Sequence, residues 1–281
     1  MIQLIGIIAR EFIYSSHMLA LDAVAMVLTV MLLYGYEIDL ALLIIPYFVT
    51  QIIYSYNHLK EAKFDIKTNP ERASLFIKGG RLKEVMFAFY VIFLALVLLS
   101  TSIKVILFVI FITIGGIFYT IIFKKTRILG FKNLYVSAFW VVTLLIVPIG
   151  EGRSIEVSHF VLMGIYFLTT LTSTIFFDIK DIEGDAERKI LTFPVVIGLN
   201  KTLYLLISIK ILSMLLTVVA VYTNILPNIF LWYLVAIIYG LVYILVGFIV
   251  KRKILRYVSY IFADAEFIFW LVVISVVKIL T

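Results

Sequence analysis

No cysteine occurs among the 281 residues, which removes disulfides, thiolate metal sites and cysteine nucleophiles from consideration. Charge is scarce as well. Only 15% of residues are Asp, Glu, Lys or Arg, against 64% hydrophobic, and mean hydropathy is +1.15. A water-soluble chain of this length exposes far more charge, so the solvent for most of the surface is expected to be lipid. Three histidines in no cluster argue against zinc. No hydrophilic stretch is long enough for a second domain, so residues 1–281 read as a single transmembrane domain. The opening MIQLIGIIAREFIYSS lacks the basic, apolar, small-residue order of a cleavable signal. It reads as an interfacial segment leading into the first span.

What is present is a series of apolar runs near the roughly 20 residues needed to cross a bilayer. Nine helices are expected, over about 17–36, 39–60, 83–102, 104–123, 132–149, 158–180, 200–222, 227–250 and 258–279. The fold class is therefore an all-α polytopic bundle. The 24 Lys and Arg residues sort onto alternate connections: Lys104, Arg153 and Lys278 on one side, Lys210 inside the seventh run, and the other 20 on the opposite side. Cytoplasmic loops retain Lys and Arg, so the N-terminus is expected in the cytoplasm and the C-terminus outside the cell membrane. The basic residues sit in separate short loops rather than on one soluble face, which argues against nucleic acid as a partner.

Two acidic stretches stand at the exits of the second and sixth helices. SYNHLKEAKFDIKTNPER carries Asn57, Glu61 and Asp65 at i, i+4 and i+8; FFDIKDIEGDAERK carries Asp178, Asp181 and Asp185 at i, i+3 and i+7. Helix continuing through each stretch would put three oxygen-bearing side chains on one face, with Gly184 a point where the second helix can break. Glu61 to Asp181 and Asp65 to Asp185 are each 120 residues apart. This offset suggests two pseudo-repeated four-helix units with a ninth helix added. Either stretch alone fits a solvated helix end whose acids pair with neighbouring lysines. Both together, at equivalent exits, gather carboxylates that repel one another and cost desolvation. A hard divalent cation with oxygen ligands would compensate, and Mg²⁺ commonly bridges carboxylates to substrate phosphates.

At these residues the chain resembles the UbiA superfamily of intramembrane prenyltransferases. The second motif matches in full as Asp178-Ile-Lys-Asp181-Ile-Glu-Gly184-Asp185, followed by a family-like Thr192-Phe-Pro194-Val-Val-Ile-Gly198. The first reads Asn57-His58-Leu-Lys-Glu61-Ala-Lys-Phe-Asp65, with Asn69-Pro70-Glu71-Arg72 after it; His58 and Glu61 stand where the family has Asp. Tyr119-Thr-Ile-Ile-Phe-Lys124-Lys125, then Gly130 and Asn133, is similar to a third family segment. After Arg72 the family has a short turn, whereas this chain continues Ala-Ser-Leu-Phe-Ile-Lys-Gly79-Gly80.

The resemblance implies Mg²⁺-dependent transfer of an isoprenyl chain from an allylic polyprenyl diphosphate to a lipophilic acceptor, at the cytoplasmic face of the lipid bilayer. It implies Asn57, Glu61, Asp178 and Asp181 as primary Mg²⁺ ligands, with Asp65 and Asp185 completing the site. Arg72 and one of Lys124 or Lys125 would hold phosphate oxygens, and Tyr119 and Asn133 would line the substrate site. The isoprenoid tail would need an apolar tunnel, for which 23 Phe and 17 Tyr supply ample lining. The Asp-Ile-Glu-Gly-Asp form of the second motif most resembles the family's archaeal ether-lipid branch, whose acceptor is geranylgeranylglyceryl phosphate. An aromatic acceptor of the quinone type is the alternative.

Asp264 and Glu266 lie two apart in the ninth run and so on different faces, with pairing to Lys210 or loop lysines, or acceptor binding, as possible roles; Asp22 is treated alike. His17 and His159, near span ends, read as interfacial. Three rival readings remain. A transporter predicts charges at the bilayer midplane and helices broken by Gly or Pro, whereas here the acids cluster at helix exits. A CDP-alcohol phosphotransferase needs an Asp-Gly-x-x-Ala-Arg element that this sequence lacks. The third is a non-catalytic lipid-binding relative.

Overall fold

The computed structural model describes residues 2–66, 69–121 and 128–280. Among these there are helices and no strands. They are α1 (Ile2–Tyr14), α2 (His17–Tyr34), α3 (Leu40–Glu61), α4 (Pro70–Leu98), α5 (Ile103–Ile121), α6 (Phe131–Val142), α7 (Ile146–Gly150), α8 (Val157–Glu187), α9 (Phe193–Ile197), α10 (Leu199–Tyr222), α11 (Tyr233–Ile249), α12 (Arg252–Ile261) and α13 (Glu266–Leu280). Short 3-10 turns join α6 to α7, precede α11 and separate α12 from α13. Among the described residues each of the nine expected apolar runs contains a helix. Eight stretches are long and apolar enough to cross a membrane; α4 is the ninth, with Arg81, Lys83 and Glu84 at the start of its apolar run. The chain is a multi-pass membrane protein.

Local chemistry sets the ends of these helices. Asp39 caps α3 by accepting the N–H groups of Ala41 (2.7 Å) and Leu42 (3.3 Å), satisfying donors that have no partner inside the helix. His159 caps α8 in a reciprocal box with Glu156 and stacks on Tyr34 at 4.5 Å. His17 bonds Tyr47 at 2.7 Å and Gln51 at 3.0 Å, so both histidines at span ends are occupied in packing. Pro70 opens α4, which runs 29 residues across a break at Gly80 (φ 43°, ψ −122°). A left-handed φ of this kind is open to glycine at little cost.

The helices α2, α3, α5, α6, α8, α10, α11 and α13 each pack on the next, and α13 returns to α2, closing a ring; α4 packs on α3 and α1. Lipid tails are as apolar as leucine, so close packing and internal hydrogen bonds hold such a ring together. At Gly116 of α5 an added Cβ would drive into the Ile53 side chain of α3, so this glycine lets the two helices meet. The aromatic centre is Tyr166, Phe230, Tyr233 and Trp270, all 0% exposed. Lys83 of α4, 5% exposed, pairs with Glu11 and donates to Ser15 at 2.8 Å, fastening α1.

Candidate functional site

The ring encloses a polar cavity of about 1260 Å³, counted to its open mouth. Its walls hold Asn57, Glu61, Asp65, Arg72, Tyr119, Asn133, Asp178, Asp181 and Asp185, nine of the eleven candidate residues named from sequence. The other two, Lys124 and Lys125, lie outside the described residues.

Each residue reaches the cavity by a definable route. The helix of α8 runs on through Gly184 to Glu187, so Asp178, Asp181 and Asp185 keep the common face their spacing predicts. On the other wall α3 stops at Glu61 and residues 62–66 form turns. Asp65 therefore does not extend the helical face of Asn57 and Glu61. It enters from the turn and is held by Arg72, whose Nε and Nη2 donate to Oδ2 at 3.1 and 2.7 Å. Where the family has a turn after Arg72, this chain continues as helix to the break at Gly80.

Cations answer the buried acids. Lys132 Nζ meets Asp178 Oδ1 at 2.5 Å, and Asn133 Nδ2 donates to Asp178 Oδ2 at 2.8 Å. Lys180 Nζ meets Asp181 Oδ2 at 2.6 Å, and Asn69 Nδ2 donates to Asp181 Oδ1 at 3.1 Å. Asn69 Oδ1 in turn accepts Tyr260 OH at 2.8 Å and Lys180 Nζ at 3.3 Å. Burial alone would lower the pKa of the Arg72 guanidinium; Tyr260, Asp65 and Asp181 outweigh it and hold it above its ordinary value. His58, 3% exposed, lines the cavity against Ser16 Oγ (2.9 Å from Nε2) and lies 5.1 Å from the Phe76 ring. Lys132, Lys180, Asn69 and Tyr260 were not among the residues expected from sequence.

Among the described residues no three of His, Asp and Glu close together as a metal cage, because the acids are spread across both walls and lean on these cations. Among the described residues that line the cavity, three buried oxygens nonetheless have no hydrogen-bond donor: Asn57 Oδ1, Asn133 Oδ1 and Asp185 Oδ2. Buried acceptors are rarely left unpaired. An all-oxygen set of this kind fits a hard divalent cation that shares its coordination with substrate oxygens.

A second, apolar cavity, about 780 Å³ counted to its open mouth, adjoins the first. The two share Tyr54, Asn57, Tyr119, Val136 and Trp140. From Asn57 to Pro46 this limb follows α3 for about 16 Å at the helical rise, past Val27, Val49, Ile112 and Leu144.

The model of the UbiA prenyltransferase family matches residues 55–271. The chain belongs to that family. It is a prenyltransferase, and the resemblance read from its motifs holds. A digeranylgeranylglyceryl phosphate synthase from Methanosphaera stadtmanae is 29% identical over 203 residues, covering 70% of this chain and 71% of that protein. A UbiA homologue from Archaeoglobus fulgidus, solved with GPP and Mg²⁺, superposes with a TM-score of 0.63 at 15% identity, over 95% of this chain and 99% of its own. A solved digeranylgeranylglyceryl phosphate synthase gives 0.59 at 17% identity, over 95% and 96%. At these identities the superpositions speak for the fold.

Proposed function

We propose that this UbiA-family prenyltransferase joins an allylic polyprenyl diphosphate to geranylgeranylglyceryl phosphate, with the whole chain working as one domain. The observation carrying this reading is the adjoining pair of cavities. A polar chamber lined with carboxylates and cations adjoins an apolar limb that can take an isoprenoid tail, and five residues line both. The synthase relative from Methanosphaera supports the choice of acceptor, and the Archaeoglobus homologue bound to GPP and Mg²⁺ supports the donor and metal.

In this reading the diphosphate lies between the ends of α3 and α8. Asn57, Glu61, Asp65, Asp178, Asp181 and Asp185 would hold Mg²⁺, which when bound neutralises charge on the departing diphosphate. Arg72, Lys132 and Lys180 act alongside it as fixed positive charges in a site screened from water, where such charges are most effective. Arg72 can engage phosphate oxygens through two N–H groups; Lys124 and Lys125 remain candidates for the same task. Asn133 orients Asp178. The rings of Tyr54, Tyr119 and Trp140 stand where the cavities meet, so the allylic carbon, as it becomes positive, faces aromatic π-density. The excess of Lys and Arg on the mouth's side of the membrane supports a cytoplasmic site, with the N-terminus inside and the C-terminus outside.

The test incubates purified protein with geranylgeranyl diphosphate, Mg²⁺ and either geranylgeranylglyceryl phosphate or an aromatic acid, with products read by mass spectrometry. Ether-lipid product is expected, abolished by EDTA and restored by excess Mg²⁺. Prenylated aromatic acid instead would move the acceptor to the quinone class. No product from either would overturn both choices of acceptor. The apolar limb makes a second prediction. Thr50 lies on its wall, about 10 Å along α3 from Asn57. Thr50→Trp is expected to lower kcat/KM for geranylgeranyl diphosphate relative to dimethylallyl diphosphate by roughly tenfold or more. An unchanged ratio would remove the limb as the tail's seat.

A further inference from the structure

Three carboxylates buried inside the bundle stand apart from both acid motifs: Asp22, Asp264 and Glu266. A carboxylate at this depth is costly to keep and by default marks function. Two of the three have a visible structural occupation. Asp22 Oδ1 accepts the N–H groups of Phe267 (2.8 Å) and Ile268 (2.9 Å), closing free donors in the first turn of α13. Glu266 is neutralised by Lys210 and also accepts Tyr243 OH at 2.8 Å and Ser173 Oγ at 3.2 Å.

Asp264 has no such occupation. It is 5% exposed, sits in the 3-10 turn Ala263–Ala265, and its carboxylate makes no hydrogen bond or ion pair with any described residue. It lines the polar cavity, as do Ser16, Leu19, Asp22, Thr170, Ser173 and Phe267. The titratable groups that act on it or feel its charge are Asp22 of α2, Tyr54 of α3, Arg72 of α4 and Lys180 of α8. Arg72 is engaged with Asp65 and Lys180 with Asp181. Tyr54 is one of the aromatic residues where the polar and apolar cavities meet, so Asp264 shares a chamber with the reacting carbon of the proposed reaction.

Resting on the prenyl-transfer reading above, we propose that Asp264 is the base that accepts the proton of a hydroxyl-bearing acceptor. The acceptor oxygen forms a bond to the allylic carbon. The bond from that carbon to the diphosphate oxygen breaks, and its electron pair leaves with the diphosphate. The hydroxyl proton passes to a carboxylate oxygen of Asp264, and from there to water at the mouth once the product departs. A base must lie within hydrogen-bond reach of the proton it takes and must not be committed elsewhere. Of the three buried acids only Asp264 meets the second condition, and it faces the chamber. The cavity lining, which adds the hydroxyls of Ser16, Thr170 and Ser173 and the apolar Leu19 and Phe267 to the acids, suits a lipid alcohol.

The test compares full-length wild type, Asp264→Asn and Asp264→Glu in the same membrane mimetic, measuring donor affinity with Mg²⁺, acceptor KM, and kcat against pH. Asp264→Asn is expected to bind geranylgeranyl diphosphate within about threefold of wild type while kcat falls about a hundredfold. Its remaining activity should rise with pH as hydroxide replaces the lost base, and Asp264→Glu should regain part of the rate. An Asp264→Asn chain that transfers within threefold of wild type with the same pH profile overturns the assignment. So does one that loses donor binding in proportion to rate, since that marks a role in holding the diphosphate. A wild-type chain that transfers to no hydroxyl acceptor overturns both this proposal and the reading beneath it.

Discussion

Asp181→Ala is expected to lower prenyl transfer by about 10³-fold, the upper end of what removing one charge-stabilising contact costs. The size follows from where the carboxylate sits. Its two oxygens take Asn69 and Lys180, and Asn69 takes Tyr260, so one side chain joins α8 to the entrance of α4 and to α12. Removing it deletes an oxygen from the proposed Mg²⁺ site and leaves the buried ammonium of Lys180, over the rings of Phe177 and Tyr260, without its direct ion-pair partner. Asp181→Asn separates these effects, because it keeps the shape and an oxygen toward Asn69 while losing the charge. Both variants should raise the Mg²⁺ concentration needed for half-maximal diphosphate release. Release from Asp181→Ala that matches wild type at every Mg²⁺ concentration would sink the assignment.

The parts of this site that could be read from sequence are those where a helical period carries the information. Asp178, Asp181 and Asp185 share a cavity because α8 does not stop at Gly184. The equivalent reasoning for Asp65 reaches the right chamber by the wrong path: helix ends at Glu61, and the turn together with Arg72 brings Asp65 in. Lys132 and Lys180 were concealed by a competing explanation, since any lysine in the basic set of connections is already accounted for by membrane topology. Only position shows that Lys132 reaches Asp178 and that Lys180 reaches Asp181. Asn69 and Tyr260 meet across 191 residues of sequence, a contact no local pattern encodes. His58 shows in sequence as a missing negative charge; that its ring rests on Ser16 and Phe76 is set by how α2 and α4 pack on α3. In the ninth run, the two-residue spacing of Asp264 and Glu266 foretold different faces. Which of them would find Lys210 depended on α10 and α11.

That pairing supports the second large effect. Lys210→Met is expected to destabilise the chain by about 3–5 kcal/mol, the usual penalty for leaving one member of a buried ion pair alone. Lys210 is 0% exposed and Glu266 1%, so water cannot stand in for the missing charge. Tyr243 and Ser173 would still donate to the carboxylate, but two hydroxyls do not neutralise it. The packing is built around the pair: a Cβ at Gly240 of α11 would lie 2.7 Å from Lys210 Nζ and 2.8 Å from Glu266 Oε1. Adding Glu266→Gln to Lys210→Met removes the stranded charge and keeps an oxygen for Tyr243 and Ser173. The double variant should therefore recover most of the loss, and thermal unfolding of both in one detergent measures it. Strictly additive costs for Lys210→Met and Glu266→Gln would mean the charges are not coupled. The consequence for catalysis follows from the fold: Glu266 opens α13, directly after the turn that presents Asp264, and Ser173 lies on the cavity wall. A single variant that loosens α13 should lower kcat along with stability, and the double variant should restore the two together.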